Sequence, residues 1–197
     1  MSKSSAMNKP PYTEKLLKHY KNPVLFGDAG SMQFVVEHRN RSCGDRVLLG
    51  INVDAEAGRI VGIRHESDGC MLCKASASIL CQSLEGAKVS RAIELREFVS
   101  QMCDLDVPED ALDFEWVFHE ANTLYDVDAE LPETGYQETS AEKKLEDSTS
   151  DSAEGLTPGD RENLSNDLRA LLEIRSFPTR KRCVTLPWEA LDELLKE

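Results

Sequence analysis

Gly69-Cys70-Met71-Leu72-Cys73-Lys74-Ala75-Ser76-Ala77-Ser78-Ile79-Leu80 is the stretch in which the chain changes period. Upstream of it, three runs carry β-branched residues at strand length: Met32 to His38, Arg46 to Val53 and Arg59 to His65. Asp54 to Gly58 between the last two has the composition of a hairpin turn, so an antiparallel meander is the economical topology. Downstream, Met71 to Leu84 takes up helical spacing, its small residues suited to lying close to a sheet, and Gly86 ends it as a helix C-terminus ends. A second helix is expected over Ser90 to Met102, with Ala92, Ile93, Leu95, Phe98, Val99 and Met102 as its apolar set. Strands first and helices afterwards predict an α+β fold, a three-stranded antiparallel sheet with helices packed against it.

Outward from this centre the signals weaken. Leu16, Leu17 and Tyr20 predict a short helix over Tyr12 to Tyr20, stopped at Lys21-Asn22-Pro23 because the residue before a proline avoids helical angles. Phe114 to Phe118 is apolar and reads equally as strand or helix. From Asp126 to Glu162 there are twelve Asp or Glu against three Lys or Arg, so this segment carries most of the formal net charge of −13. With almost no large apolar residues it cannot offset the entropy of ordering, and residues 126–159 are expected to be a disordered acidic insertion. The expected organisation is one domain built from residues 12–125 and 160–197, with a flexible N-terminus over 1–11. Order resumes at Asp160 ahead of Leu164, Leu168, Leu171 and Leu172, and a final amphipathic helix is placed around Trp188, Leu191, Leu194 and Leu195.

Composition removes several classes of function. A chain of 197 residues with 40% apolar content can bury one core. No window approaches the roughly 18 uncharged apolar residues of a membrane span, and Met1 to Pro11 lacks the apolar block of a secretory signal, so a cytoplasmic protein is expected. The negative charge argues against binding to nucleic acid or to an anionic membrane. Six cysteines in a reducing compartment point away from disulfides and toward metal ligation, sulfur chemistry or burial.

The chemistry gathers on Arg41-Ser42-Cys43-Gly44-Asp45-Arg46, a polar turn with a thiol and a carboxylate two residues apart. Cys70, after Gly69, and Cys183, in Arg180-Lys181-Arg182-Cys183, also stand at junctions between expected elements. Cys43, Asp45, Cys70 and Cys183 make a set of three thiolates and a carboxylate that suits four-coordinate Zn²⁺, or iron within an iron–sulfur cluster. The spacing alone does not choose between them. Cys70-Met71-Leu72-Cys73 has the form of a CxxC motif; on a helix Cys73 borders the site, as an accessory ligand or as a thiol just outside the ligands. Cys81 lies about 12 Å further along that helix and cannot share an ion with Cys73. Cys81 and Cys103 are expected to be core thiols.

Leu17-Lys18-His19-Tyr20-Lys21-Asn22-Pro23, Ser42-Cys43-Gly44-Asp45, Gly69-Cys70 followed by Ala75-Ser76-Ala77-Ser78 and Gly86, and Cys183 before an apolar helix occur in an order that resembles the IscU/SufU/NifU N-terminal family of iron–sulfur cluster assembly proteins. The resemblance runs from about Tyr12 to Ser90 and again from Phe177 to the end. It implies that Cys43, Asp45, Cys70 and Cys183 bind zinc or a nascent [2Fe–2S] cluster. It implies sulfur arriving as persulfide from a cysteine desulfurase and passing to a downstream iron–sulfur carrier or apo-protein. The chain is most similar to the SufU branch, a zinc-dependent sulfur acceptor or relay, because Phe177-Pro178 and a basic residue, Arg182, precede Cys183 while Leu186 and Trp188 follow it. The IscU and NifU branches imply a cluster scaffold instead. Cys43 is the first choice for the persulfide acceptor and Cys183 the second; Cys73 stands where the family usually has serine.

Two further signals have bland readings beside their functional ones. His19 belongs to a family motif, whereas His38, His65 and His119 are scattered and read most simply as surface or strand residues. The run Arg180 to Arg182 is either a solvated loop or a docking element for an acidic patch of the desulfurase that also lowers the pKa of the nearby thiol. The contrasting function is a zinc-stabilised interaction module without sulfur chemistry.

Overall fold

The computed structural model describes residues 13–104, 106–112 and 158–196. Phe114 to Phe118, His119 and the expected flexible N-terminus fall outside them, as does the expected insertion apart from Pro158 and Gly159, which open a helix. The sheet follows from alternation. Strands β1 (Phe34–Arg39), β2 (Arg46–Asp54) and β3 (Arg59–Asp68) form an antiparallel meander in the order β1-β2-β3, the fold class the sequence predicts. Val36 stands opposite Leu49 and Leu49 opposite His65, and the side chains of Val47, Leu49, Ile51 and Ile63 enter the core. β1 begins two residues later than expected because the Gln33 N–H is taken by Asn52 Oδ1 at 2.7 Å. β3 runs on to Asp68 because Arg46 and Val47 of β2 pair with Asp68 and Ser67, a continuation that polar residues conceal in the sequence.

The first helix, α1 (Glu14–Lys21), is capped by Thr13, whose hydroxyl accepts from the Leu16 N–H at 3.3 Å. The chain then runs beside the free edge of β3, where the His65 N–H donates to Leu25 O (3.1 Å) and the Gly27 N–H to His65 O (2.9 Å). It next crosses β2 at Gly50. A Cβ on Gly50 would lie 2.2 Å from the Ala29 carbonyl oxygen and 2.8 Å from the Met32 side chain. Gly50→Ala is therefore expected to destabilise the fold by about 1–3 kcal/mol, read as a lowered urea midpoint. An unchanged midpoint would mean that this crossover is not anchored to the sheet.

Helix α2 (Met71–Leu84) has the bounds the sequence predicts and sits at the centre, touching β3, α1, α4 (Pro158–Leu171) and α5 (Lys181–Leu194). Its small residues serve helix–helix approach as much as approach to the sheet. Ser78, fully buried, accepts from the Val24 N–H at 2.7 Å and lies 2.8 Å from Nδ1 of buried His19, whose Nε2 stands 3.3 Å from Asp167 of α4. Burial pushes the Asp167 carboxyl up, but His19 and Lys15 outweigh it and hold it below the usual value. His19 thus ties three helices together.

On the other side of α2, the Trp188 Nε1–H donates to Ser76 Oγ (3.0 Å), and that hydroxyl donates to Val184 O (2.7 Å), which fixes α5 to α2. Helix α5 starts at Lys181, earlier than its apolar periodicity suggests, and contains Pro187. The proline has no N–H for the carbonyl of Cys183, four residues before it, so the first turn of α5 lacks one of its bonds. Helix α3 (Val89–Met102) completes the packing against α5. Among the described residues no helix is long and apolar enough to cross a membrane.

Candidate metal centre

The turn between β1 and β2 is held by three bonds. The Asn40 N–H donates to Asp45 O (2.8 Å), the Gly44 N–H to Asn40 O (2.9 Å), and the Ser42 N–H to Asn40 Oδ1 (3.1 Å). The last is an Asx turn, and its signal in the sequence is an asparagine two residues before a serine at the end of a strand. Gly44 takes φ +79°, which a side chain would resist. Cys43 is left at the tip, exposed, while Asp45 turns inward and is buried.

Asp45 reaches the start of α2. Its Oδ1 accepts from the Cys70 N–H at 2.8 Å and its Oδ2 lies 3.4 Å from Cys70 Sγ, at the helix end where backbone dipoles favour negative charge. Gly69 makes the approach feasible: at φ +144°, a Cβ there would stand 2.3 Å from Asp45 Oδ1. Cys183 comes from the first turn of α5, with its Sγ 3.8 Å from Cys43 Sγ. The ligand atoms of Cys43, Asp45 and Cys183 all lie within 4.8 Å of one another, and Cys70 adjoins them through Asp45.

These spacings can be compared with a tetrahedral ion. With Zn–S of about 2.3 Å and Zn–O of about 2.0 Å, tetrahedral angles place two sulfurs about 3.8 Å apart and a sulfur and an oxygen about 3.5 Å apart. Cys43 to Cys183 is 3.8 Å and Cys70 to Asp45 is 3.4 Å. The electrostatics also suit a cation. Burial pushes the Asp45 carboxyl up, but the Cys70 N–H and the thiols of Cys43, Cys183 and Cys70 outweigh it, so the group is held below the usual carboxylate value. Burial first, with the charge of Asp45 adding to it, pushes the Cys70 and Cys183 thiols up. A carboxylate that stays ionised beside thiols reluctant to ionise is a donor set completed by positive charge.

The other candidates behave differently. Cys73 is fully buried in the apolar core and outside the mutually close group; burial first, then Asp45 and Cys70, raise its thiol far above the ordinary value. Cys81 and Cys103 are buried core thiols. At Cys183, burial, Asp45 and Cys70 push the thiol up, and the Arg182 guanidinium turns to Glu189 at 3.8 Å. His38 and His65 are strand residues, one in β1 and one in β3, as the sequence suggests. His19 and His65 are buried, and His38 Nε2 lies 2.6 Å from Glu193 of α5.

Residues 11–121 match the profile of the family described as NifU-like N terminal domain. The zinc-dependent sulfurtransferase SufU of Bacillus subtilis (strain 168) is 23% identical over 182 residues, covering 92% of this chain and 87% of that protein. The iron-sulfur cluster assembly scaffold protein IscU of Streptococcus pyogenes serotype M1 is 23% identical over 185 residues, covering 94% of this chain and 82% of its own length. Among solved structures, the N-terminal part of a nitrogen-fixing NifU-like protein from Brucella abortus superposes with a TM-score of 0.60 at 14% identity, over 94% of this chain and 92% of that one, which establishes the likeness of fold.

Proposed function

Because this chain belongs to the family of NifU-like N-terminal domains, we propose that it serves iron–sulfur cluster assembly by accepting persulfide sulfur from a cysteine desulfurase on Cys43. The observation that carries the reading is the exposed Cys43 thiol, 3.8 Å from a buried one and sharing an inward-turned carboxylate with it. Cys43, Asp45, Cys70 and Cys183 would hold Zn²⁺ or iron, and the ion, when bound, keeps its cysteines as thiolates at neutral pH. The transfer balances without external redox chemistry. The Cys43 thiolate attacks the outer sulfur of the desulfurase persulfide, the sulfur–sulfur bond breaks, and its electron pair stays on the desulfurase cysteine. Arg180 and Arg182, exposed beside the site, suit the rim of an interface with an acidic partner, where charges act chiefly on the association rate.

Desulfurase turnover with and without this chain, followed by mass spectrometry of its cysteines, tests the proposal. Stimulated turnover and one added sulfur on Cys43 are expected, and Cys43→Ser is expected to lose both. No stimulation and no persulfide on any cysteine would leave the zinc-stabilised interaction module as the better account. A second reading, a scaffold on which iron and sulfide are assembled into a [2Fe–2S] cluster, is favoured by the three thiols and by the similarity to the S. pyogenes scaffold protein over 82% of its length. Anaerobic reconstitution separates the two. Cluster absorbance after adding iron and sulfide favours the scaffold, and tightly retained zinc with no cluster favours the acceptor.

A further inference from the structure

Cys43 and Cys183 differ in a way that metal binding alone does not require. Cys43 sits exposed on a turn, whereas Cys183 lies directly behind it, 6% exposed, with the two sulfurs 3.8 Å apart. We propose that, when no ion occupies the site, Cys183 is its resolving thiol: it attacks a persulfide carried on Cys43 and releases the outer sulfur as hydrogen sulfide, leaving a Cys43–Cys183 disulfide. This rests on the acceptor reading of Cys43.

The step balances. Cys183 sulfur bonds to Cys43 Sγ, the inner sulfur of the persulfide; the bond from Cys43 Sγ to the outer sulfur breaks, and its electron pair leaves on the outer sulfur. The departing hydrosulfide takes the proton given up by the Cys183 thiol and leaves as H₂S. The outer sulfur is reduced to sulfide and the cysteine pair is oxidised to a disulfide, so no external oxidant is consumed. A dithiol reductant then restores both thiols by exchange.

The geometry favours Cys183 over the other cysteines. It shares the mutually close group with Cys43 and Asp45, whereas Cys70 lies outside that group and Cys73 is packed in the core. Closure to a disulfide brings the sulfurs from 3.8 Å to about 2.05 Å. Cys43 is on an exposed turn, and the first turn of α5 is released from the bond that Pro187 cannot make to the Cys183 carbonyl. Burial also keeps bulky reagents from Cys183, so the attacking thiol is reserved for a sulfur already delivered to Cys43.

The test uses the full chain, wild type and variants alike freed of metal with a chelator, loaded once with inorganic polysulfide, freed of excess donor by gel filtration and left without reductant. One equivalent of H₂S and a peptide pair linked through Cys43 and Cys183 are expected from the wild type. Cys183→Ser and Cys183→Ala are expected to keep the added sulfur on Cys43 and to release H₂S more slowly by about tenfold or more. Wild type that holds its persulfide as long as the variants, or variants that release H₂S as fast as wild type, would overturn the resolving role and leave the acceptor reading standing. Absence of added sulfur from Cys43 even in both variants would remove the acceptor reading and the resolving role with it. A urea unfolding curve for each variant confirms that the comparison is made between folded proteins.

Discussion

Gly69→Ala is expected to lower metal affinity by about 10–100-fold while the purified protein stays folded. The new methyl carbon would have to occupy space 2.3 Å from Asp45 Oδ1, 2.8 Å from its Cγ and 2.9 Å from its Cα. Asp45 cannot yield by swinging a flexible end, because its backbone is part of the clash. Moving it breaks the bond from the Cys70 N–H and withdraws the one hard donor from the site. The strained φ adds a cost of about 1–3 kcal/mol, which a domain of ordinary stability survives. Gly44→Ala is the control, since φ is also positive there but nothing lies within 4 Å of the added carbon. It is expected to cost about 1–2 kcal/mol of stability and to leave metal retention unchanged. Asp45→Asn separates shape from charge, because the amide still accepts from the Cys70 N–H but supplies no anion. Metal titration of the three variants decides the matter: a Gly69→Ala protein that binds as wild type would show that Asp45 is not a required ligand.

Much of the fold is legible in the residues, and where it is not the reason is physical. Val47, Leu49, Ile51 and Ile63 announce a sheet with one buried face, and the small residues of α2 announce close approach. The end of β3 is hidden because Ser67 and Asp68 are polar, and their pairing is imposed by β2 rather than by their own preferences. Pro187 hides the start of α5, since a proline reads as a boundary, while packing of Trp188 and Val184 against Ser76 retains the helix around it.

The donor types of the centre are legible as well: thiols and a carboxylate stand at junctions where side chains can converge. What local sequence cannot carry is convergence over distance. The 3.8 Å between Cys43 and Cys183 joins residues 140 apart, and the contrast between an exposed and a buried sulfur exists only once α5 is docked. The role of Gly69 is similarly invisible, because its constraint is the carboxylate of Asp45 in the turn between β1 and β2. His19 shows the same limit, since its partner Asp167 lies on a helix far along the chain.

His65 is expected to make this protein lose about 3 kcal/mol of stability between pH 6.5 and pH 4. Its ring is fully buried; Nε2–H donates to Val24 O at 3.1 Å, Ser67 Oγ lies 3.2 Å from Nδ1, and the Phe26 ring meets it edge-on with centroids 5.4 Å apart. Burial, opposed by the bond to Val24, pushes its pKa down from 6.5 to about 4. The unfolded chain therefore takes up a proton below about pH 6.5 while the folded protein resists until about pH 4. Stability from neutral His65 is complete above the unfolded value and disappears as pH falls through that window. Asp45 and Asp167, whose values are lowered from 3.8, lose their contributions only at more acid pH, so the two effects separate. His65→Gln keeps a donor for Val24 O and removes the titration. It is expected to be less stable than wild type at pH 7, with the difference narrowing toward pH 4. Urea unfolding of both proteins across this range, compared as a difference so that any metal release cancels, gives the answer. Parallel stability curves would mean that the His65 ring is not held neutral by the fold.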